Sequence, residues 1–346
     1  MGAFWNFIEK TLKQSLLAEK YQSLIAKSLI SNPVAVSKFF HSVTSGWVTG
    51  GVFVVAISCW YLLKKRNIQF AKRSIYVGAF VGLLGTFAVM LSGDASGVHA
   101  AKYQPMKLAA AEGLEKGGNG APFSIVPGIE IPNMLSILAT HSVDGYVPGI
   151  NDINEGYTDN EGNVVPSVAQ KMEMGKAALD ALAKYRLLKD TDPVAAAHAR
   201  EILESNFKYM GYGYLESPTD VIPPVGIVYW SFRLMIGLGS FIGLVLLLVL
   251  WFNYKNKLEY KKWLQYAALL CIPLVYICGE CGWIVAEVGR QPWTIQDLLP
   301  VNVAVSGTNS AEVITTFFIF LGIFALFLLI EIRIMINAIK KGPAVE

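Results

Sequence analysis

The sequence predicts an all-α membrane protein with about five transmembrane helices, and three observations support that fold class. Hydrophobic residues make up 53% of the 346 residues, and only 16% are charged, against roughly 25% in an ordinary soluble domain. The mean hydropathy is +0.44. The apolar residues also occur in blocks of about 20, the length that crosses the hydrocarbon layer of a bilayer. A soluble core does not need such uninterrupted blocks.

Five segments meet this length requirement. They cover residues 46–64, 75–93, 225–252, 264–288 and 312–336. The chain therefore divides into four predicted parts. These are an amphipathic surface tail (1–31), transmembrane helices 1 and 2 (32–93), an outward-facing polar loop domain (94–222) and transmembrane helices 3 to 5 (223–346).

The N-terminal tail is predicted to be a helix on the membrane surface, because Phe4, Ile8 and Leu12 recur at four-residue steps between charged residues. A second helix is expected to begin at Asn32-Pro33 and to continue into the first span. Asparagine caps helix N-termini, and proline suits the first helical position. Within the loop domain, residues 167–209 have helical, amphipathic spacing.

Lysine and arginine set the predicted orientation. They concentrate in residues 64–73, 255–262 and 340–341, and the positive-inside rule makes that side cytoplasmic. The loop domain then faces outward, and so does the basic N-terminal tail, which has no signal sequence to export it. The net charge of +3 gives no basic footprint for nucleic acid. The four cysteines lie in apolar runs, which argues against a disulfide framework.

Two side chains in the predicted spans have the chemistry of haem ligands. His41 lies near the outer end of the first long helix, and Met235 lies about ten residues into the third span, so their depths match. A histidine–methionine pair raises the potential of a haem and suits electron transfer. Arg233 needs an anionic partner at that depth, which a haem propionate would supply. A hydrogen-bonded interfacial histidine and a methionine that only packs remain open alternatives.

The fourth span has a polar stripe. Glu280, Trp283, Glu287 and Arg290 fall within about 80° of arc on a helix. An ionisable group costs about 2.5–3.5 kcal/mol at the centre of a membrane helix, so such a stripe is a candidate functional site. It suits a metal or haem ligand or a proton relay. An ion pair with a neighbouring helix is the alternative.

Lys107 and Glu112 follow the second span. Five residues apart on a helix, they point about 140° from each other and would flank a site rather than pair. Quinol oxidation needs hydrogen-bond partners and a proton acceptor near the membrane surface. A solvated amphipathic helix is the alternative. Two weaker signals are interpreted as structural: the Cys-x-x-Cys at 278–281 as small-residue packing, and the histidines at 99, 141 and 198 as ordinary loop residues.

The sequence resembles subunit I of the cytochrome bd-type quinol oxidases. The matching words run in family order from about residue 30 to the C-terminus: NPVAVSKFFHSVTSGWVTG, GDASG, QPMKLAAAEG, FRLM and GWIVAEVGRQPW. The resemblance implies a multi-pass protein of the prokaryotic cytoplasmic (inner) membrane. It also implies a quinol oxidase that passes electrons through b-type haems to an oxygen-reducing haem. Proton uptake from the cytoplasm would make turnover electrogenic.

The resemblance also implies residue roles. His41 and Met235 match the ligands of the low-spin haem b, and Glu287 matches the ligand of the high-spin haem b. Arg233 and Arg290 match arginines of the haem pockets. Trp283 matches a tryptophan between haems. Trp283 and Glu280 are the candidate catalytic residues. Lys107 and Glu112 match residues of the quinol-binding loop, which the loop domain would form.

Family members begin with four further spanning helices that this sequence lacks. The chain is therefore expected to be the C-terminal part of a split subunit I. A second chain would supply the missing helices and part of a third haem, d or b. A subunit II-like membrane protein and small single-helix subunits are the other expected partners. Two alternatives remain: a quinol-oxidising b-type cytochrome with a non-oxygen acceptor, and a scaffold without cofactors.

Overall fold

The computed structural model describes residues 31–126 and 128–343. Its helices in chain order are α1 Pro33–Leu63, α2 Ile68–Tyr103, α3 Pro105–Glu112, α4 Met134–Thr140, α5 Ile150–Glu155, α6 Val168–Leu188, α7 Pro193–Asn206, α8 Val225–Tyr254, α9 Lys262–Glu287 and α10 Ser310–Lys341. Within this part of the chain, five helices are long and apolar enough to cross a membrane: α1, α2, α8, α9 and α10. The predicted fold class is confirmed. The predicted surface helix of the tail falls on residues outside the described ones.

The first helix begins where its capping residues predict. The side chain of Asn32 accepts hydrogen bonds from the backbone N–H groups of Val34 (2.9 Å) and Ala35 (3.4 Å). The helix then runs without a break to Leu63. The asparagine satisfies N–H groups that have no partner within the helix, and proline follows it at the first helical position. This confirms the predicted single helix from the Asn-Pro pair into the first span.

Helix α2 extends ten residues beyond the predicted end of the second span, to Tyr103. The added residues include polar side chains, and these have hydrogen-bond partners. The hydroxyl of Ser96 donates to the carbonyl of Ser92 (2.7 Å), and His99 Nδ1 lies 3.2 Å from the hydroxyl of Ser37 on α1. The interpretation of His99 as a loop residue is therefore wrong. It lies on a membrane helix and faces α1.

Close backbone contact holds α1 against α2. A Cβ atom added to Gly51 would lie 2.6 Å from the Cα atom of Gly82, so only glycine fits there. The main buried core continues from this seam to α8 and α9. It includes Val52, Val55, Ile75, Ile242, Leu246 and Leu264. Four of the five spanning helices thus form one bundle.

Helix α10 lies apart from this bundle. None of its residues is buried within the described chain. Its contacts with other helices are at its C-terminal end, where the hydroxyl of Tyr61 donates to the carbonyl of Ile339 (2.7 Å) and Arg66 donates to the carbonyl of Lys340 (3.2 Å).

The loop domain consists of helices and short hairpins. The predicted helical stretch becomes α6, capped by Ser167 (3.2 Å from its hydroxyl oxygen to the backbone nitrogen of Gln170), and α7. A 3-10 helix, Phe207–Tyr214, follows and packs on α6. Short antiparallel strands were not predicted. They are β1 Gly118–Asn119, β2 Phe123–Val126, β3 Ile129–Ile131, β4 Tyr146–Val147, β5 Tyr157–Thr158, β6 Val164–Val165, β7 Trp293–Ile295 and β8 Leu299–Pro300, paired β1–β4, β2–β3, β5–β6 and β7–β8.

Candidate functional site

The imidazole of His41 is oriented by the helix beside it. Its Nδ1 lies 3.1 Å from the hydroxyl of Ser92 on α2. That hydroxyl also donates to the carbonyl of Ala88 (2.9 Å), so it accepts a hydrogen bond from Nδ1–H of the histidine. This arrangement fixes the tautomer and leaves the Nε2 lone pair for a metal bond. Such an outer hydrogen bond is the usual support of a metal-binding histidine.

Met235 lies at a similar depth on a different pair of helices. His41 is eight residues into α1 and Met235 is ten residues into α8, about 12 and 15 Å along the two axes. A Cβ atom at Gly282 of α9 would lie 3.1 Å from the methionine sulfur. The thiol of Cys278 donates to the backbone carbonyl of Met235 (3.3 Å). The structure thus places the two predicted ligands on two helix seams, α1–α2 and α8–α9.

Arg233 and Glu112 form a buried ion pair that the sequence did not predict. Nη2 of the arginine lies 2.7 Å from Oε2 of the glutamate, and the two side chains are 6% and 3% exposed. Burial raises the pKa of Glu112, and the guanidinium beside it partly opposes that shift. The contact joins α3 to α8. Since α3 buries its glutamate in this way, it is not a solvated surface helix.

The guanidinium of Arg233 has capacity for a second anion. Its Nε and Nη1 atoms are buried and have no hydrogen-bond partner among the described residues. The rings of Phe123, Tyr229 and Phe232 surround it, with centroids 4.6–5.2 Å from Cζ. Buried polar N–H groups are ordinarily paired. The free donors of Arg233 therefore fit the carboxylate of a propionate, as its sequence position predicts.

Lys107 faces the end of α9. Its Nζ donates to the backbone carbonyl of Ala286 (3.3 Å). Burial, together with the positive charges of Lys38 and Arg290, lowers the pKa of Lys107 to about 8, and Glu287 acts in the opposite direction. Lys107 and Glu112 thus face α9 and α8 respectively. The two side chains therefore have different partners and do not pair with each other.

The polar stripe of the fourth span lies on the outside of the bundle. Glu287 is the last residue of α9, and Arg290 in the following turn folds back to form an ion pair with it. The Nε atom of Arg290 is buried without a partner within the described part of the chain. Trp283 is 62% exposed, and Glu280 is exposed beside it. Two carboxylates on a membrane-spanning helix do not suit a lipid-facing surface.

A buried polar cluster near this turn escaped sequence analysis. The hydroxyl of Tyr212 donates to Oδ1 of Asp297 (2.8 Å), and the ring of Tyr212 lies 4.9 Å from that of Trp293. Burial raises the pKa of Asp297 and lowers the pKa of nearby Lys171. The cluster fastens the β7–β8 hairpin, which follows the Glu287 turn, to the loop domain. Residues 85 positions apart in sequence meet here, and no spacing pattern signals such a contact.

Comparison with known proteins gives a consistent result. The chain matches the family model for cytochrome bd terminal oxidase subunit I over residues 16–343. It is 34% identical over 330 residues to cytochrome bd-II ubiquinol oxidase subunit 1 of Escherichia coli (strain K12), covering 91% of this chain and 64% of that protein. It is 28% identical over 360 residues to cytochrome bd ubiquinol oxidase subunit 1 of Bacillus subtilis (strain 168), covering 99% and 65%.

A solved structure has the same fold. The bd oxidase from Geobacillus thermodenitrificans superimposes with a TM-score of 0.64 at 23% identity, over 91% of this chain and 60% of that one. The chain thus spans just under two thirds of the length of the two curated relatives, 64% and 65%.

Proposed function

Because this chain belongs to the cytochrome bd terminal oxidase subunit I family, we propose that it is the haem-binding part of a bd-type quinol:oxygen oxidoreductase. One observation carries the proposal beyond the family. Arg233 is buried at the depth of Met235 and paired on one side with Glu112, and two donor atoms on its other edge have no partner among the residues that the structure describes. A guanidinium shared between a carboxylate and a second anion suits the boundary between a quinol site and a haem.

Three residues are the proposed metal ligands. His41 and Met235 would hold a low-spin haem b, and Glu287 would hold a high-spin haem b. Arg233 and Arg290, each with a buried nitrogen that has no partner in the described part of the chain, would bind propionates. When bound, the haems supply one-electron transfer between quinol and oxygen. The oxygen-reducing haem, d or b, would be held partly by residues beyond those described.

The residues of α3 would bind and deprotonate quinol. Lys107, with its pKa near 8, keeps an ammonium group at neutral pH and can donate a hydrogen bond to a quinol oxygen. Glu112 is the proton acceptor, and Arg233 holds its carboxylate in place. Trp283 would lie between the haems, and Glu280 would relay protons. Proton release on the loop side and uptake from the cytoplasm would make turnover electrogenic.

The exposed polar stripe of α9 supports the proposed partners. Its carboxylates need a cofactor or further polypeptide to cover them. The chain spans just under two thirds of the length of its curated relatives. We propose that further polypeptide supplies the rest. A subunit II-like membrane protein would complete the complex, and small single-helix subunits are further candidates. The complex would lie in the cytoplasmic membrane of a prokaryote, with the loop domain outward.

Spectra of the purified complex test the haem assignment. We expect His41→Ala to remove the low-spin haem from the reduced-minus-oxidised spectrum, and Glu287→Ala to remove the high-spin haem. The control is His198→Ala, since His198 is exposed on α7 and should leave both signals intact. An unchanged low-spin signal in the His41 variant, or no haem signal in the wild-type complex, would overturn the assignment.

Oxygen uptake tests the reaction. We expect the complex to consume oxygen when supplied with quinol. Quinol-reducible haem without oxygen consumption would favour instead a b-type cytochrome that serves another acceptor. Mass spectrometry of the same preparation identifies the chains that accompany this one, and shows whether the remaining helices belong to the same polypeptide.

A further inference from the structure

The β2–β3 hairpin of the loop domain has an apolar face. The strand register pairs Phe123 with Ile131 and Ser124 with Glu130. Directly paired residues share a face of the sheet, and neighbours along a strand alternate. Phe123, Ile129 and Ile131 therefore lie on one face, opposite Ser124 and Glu130.

The base of this hairpin lies against a membrane helix. The ring of Phe123 is 4.9 Å from Cζ of Arg233, and the hydroxyl of Ser124 is 3.2 Å from that of Tyr229. Both partners are on α8, which begins at Val225. They are about 6 and 12 Å along the helix from its start.

The length of α8 indicates how deep Tyr229 and Arg233 lie in the membrane. Its 30 residues span about 45 Å, and the hydrocarbon layer is about 30 Å thick. A centred helix extends about 7 Å beyond that layer at each end. Tyr229 then lies at the interface and Arg233 just inside it, so Phe123 reaches the edge of the hydrocarbon on the loop side of the membrane.

The rest of the hairpin exposes large aliphatic side chains. Ile129 is 58% exposed, and Ile125 and Ile131 are exposed as well. An isolated two-stranded hairpin is at best marginally stable in water, so this apolar face needs a cover. On α8, Trp230 beside Tyr229 is also exposed. Tryptophan is enriched at the membrane interface.

We propose that the β2–β3 hairpin is embedded in the lipid leaflet on the loop side, with its isoleucine face in lipid and Glu130 directed to the aqueous side. The occupant of this face is the bilayer itself, because the hairpin base lies against a spanning helix at the edge of the hydrocarbon. The inference requires that α8 spans the membrane and is centred on the hydrocarbon layer. It therefore holds or fails independently of the proposed quinol chemistry.

Spin labels measure the environment of this face directly. A nitroxide is attached at Ile129→Cys in the full complex, reconstituted into vesicles of phosphatidylethanolamine and phosphatidylglycerol. Collision rates are measured with oxygen, which concentrates in lipid, and with a water-soluble nickel chelate. The matched control is Val164→Cys in the β5–β6 hairpin, another two-stranded hairpin, where the valine is 80% exposed. Labelling of the native cysteines is measured in parallel on the wild-type complex.

We expect the label at position 129 to collide with oxygen and to be protected from nickel, and the label at 164 to collide with nickel. Free access of nickel to position 129 would place the hairpin in water and overturn the proposal. Protection from both reagents would show that protein covers the face, which overturns it equally. Ile131→Cys, on the same face, gives a second reading should the first variant fail to assemble.

Discussion

The carboxylate of Glu112 and the guanidinium of Arg233 form a buried ion pair, 2.7 Å apart, that fastens the first helix of the loop domain to the third spanning helix. The two partners differ in one respect that experiments can use. A buried carboxyl group left alone can take up a proton and become neutral, whereas a guanidinium cannot lose its charge under ordinary conditions.

Replacing Arg233 with methionine should make stability depend more strongly on pH. Burial already raises the pKa of Glu112 and Arg233 opposes that shift, so the variant carboxyl stays protonated to higher pH. A carboxyl group whose pKa is raised in the folded state stabilises the fold at low pH. That contribution is lost as the pH rises through the folded pKa. We expect the Tm of the purified variant to fall more steeply than that of the wild type as the pH rises above the ordinary pKa of a glutamate. Parallel Tm curves would contradict this reading of the pair.

Glu112→Gln should be costly at any pH where Glu112 is ionised in the wild type, because it leaves an arginine charge that no longer has an anionic partner. Breaking a buried ion pair typically costs about 3–5 kcal/mol. We expect a lower Tm and weaker quinol oxidation by the variant complex. Glu115→Gln is the control, since Glu115 is exposed three residues further along. Equal Tm values for the two variants would show that the pair contributes little.

The KM for quinol should rise as Lys107 loses its proton. Burial, Lys38 and Arg290 hold the pKa of this lysine at about 8, so its ammonium group is lost above that pH. Lys38→Met removes one neighbouring positive charge, and the pKa of Lys107 should rise in consequence. We expect the inflection in KM to move to higher pH in this variant. The exposed Lys116→Met should leave it in place, and the same inflection in both variants would argue against a role for the Lys107 charge.

Gly51→Ala should separate α1 from α2. The added Cβ would meet the backbone of Gly82 at 2.6 Å, which no side-chain movement can relieve. The same seam carries the contact between His41 and Ser92, so we expect a lower Tm together with a weaker low-spin haem signal. Gly50→Ala is the matched control, because no atom lies within 4 Å of its Cβ position. Alanine there should be neutral or stabilising by up to about 1 kcal/mol. Similar behaviour of the two variants would refute the packing argument.

Tyr212→Phe should weaken the attachment of the β7–β8 hairpin to the loop domain. It removes a hydroxyl that donates to Oδ1 of Asp297, which keeps its hydrogen bond from the side chain of Gln296 (3.0 Å), and the loss of one such bond typically costs about 0.5–1.5 kcal/mol. We expect a lower Tm and a perturbed high-spin haem spectrum, because the hairpin follows the turn after Glu287. Tyr209→Phe removes a neighbouring hydroxyl and should change neither. A spectral change in that variant alone would place the important contact elsewhere.

The spanning helices could be predicted from sequence because the bilayer imposes length and hydropathy on each segment separately. The start of α1 could be predicted for a similar local reason, the Asn32-Pro33 cap. The extension of α2 could not. It depends on partners such as Ser37 for His99, and these are visible only once the helices are packed.

Part of the candidate site could likewise be predicted from the sequence, and part could not. Residue types such as Arg233 and Glu287 stand out because charges in a span are expensive. The pairing of Arg233 with Glu112 joins residues 121 positions apart, so no local pattern could show it. Tyr212 and Asp297 lie outside the spans, where polar residues are common. Their importance follows only from burial, which the sequence does not reveal.

The isolation of α10 has a consequence for how the protein responds to its bilayer. The helix has 32 residues, about 48 Å in length, against about 30 Å of hydrocarbon. A helix longer than the hydrocarbon layer can tilt within it, and neighbouring helices normally set the angle. Within the described chain, α10 is held at one end, by Tyr61 and Arg66. Within the described residues, packing against the bundle therefore does not fix the inclination of this helix, and bilayer thickness is left to set it about the C-terminal end.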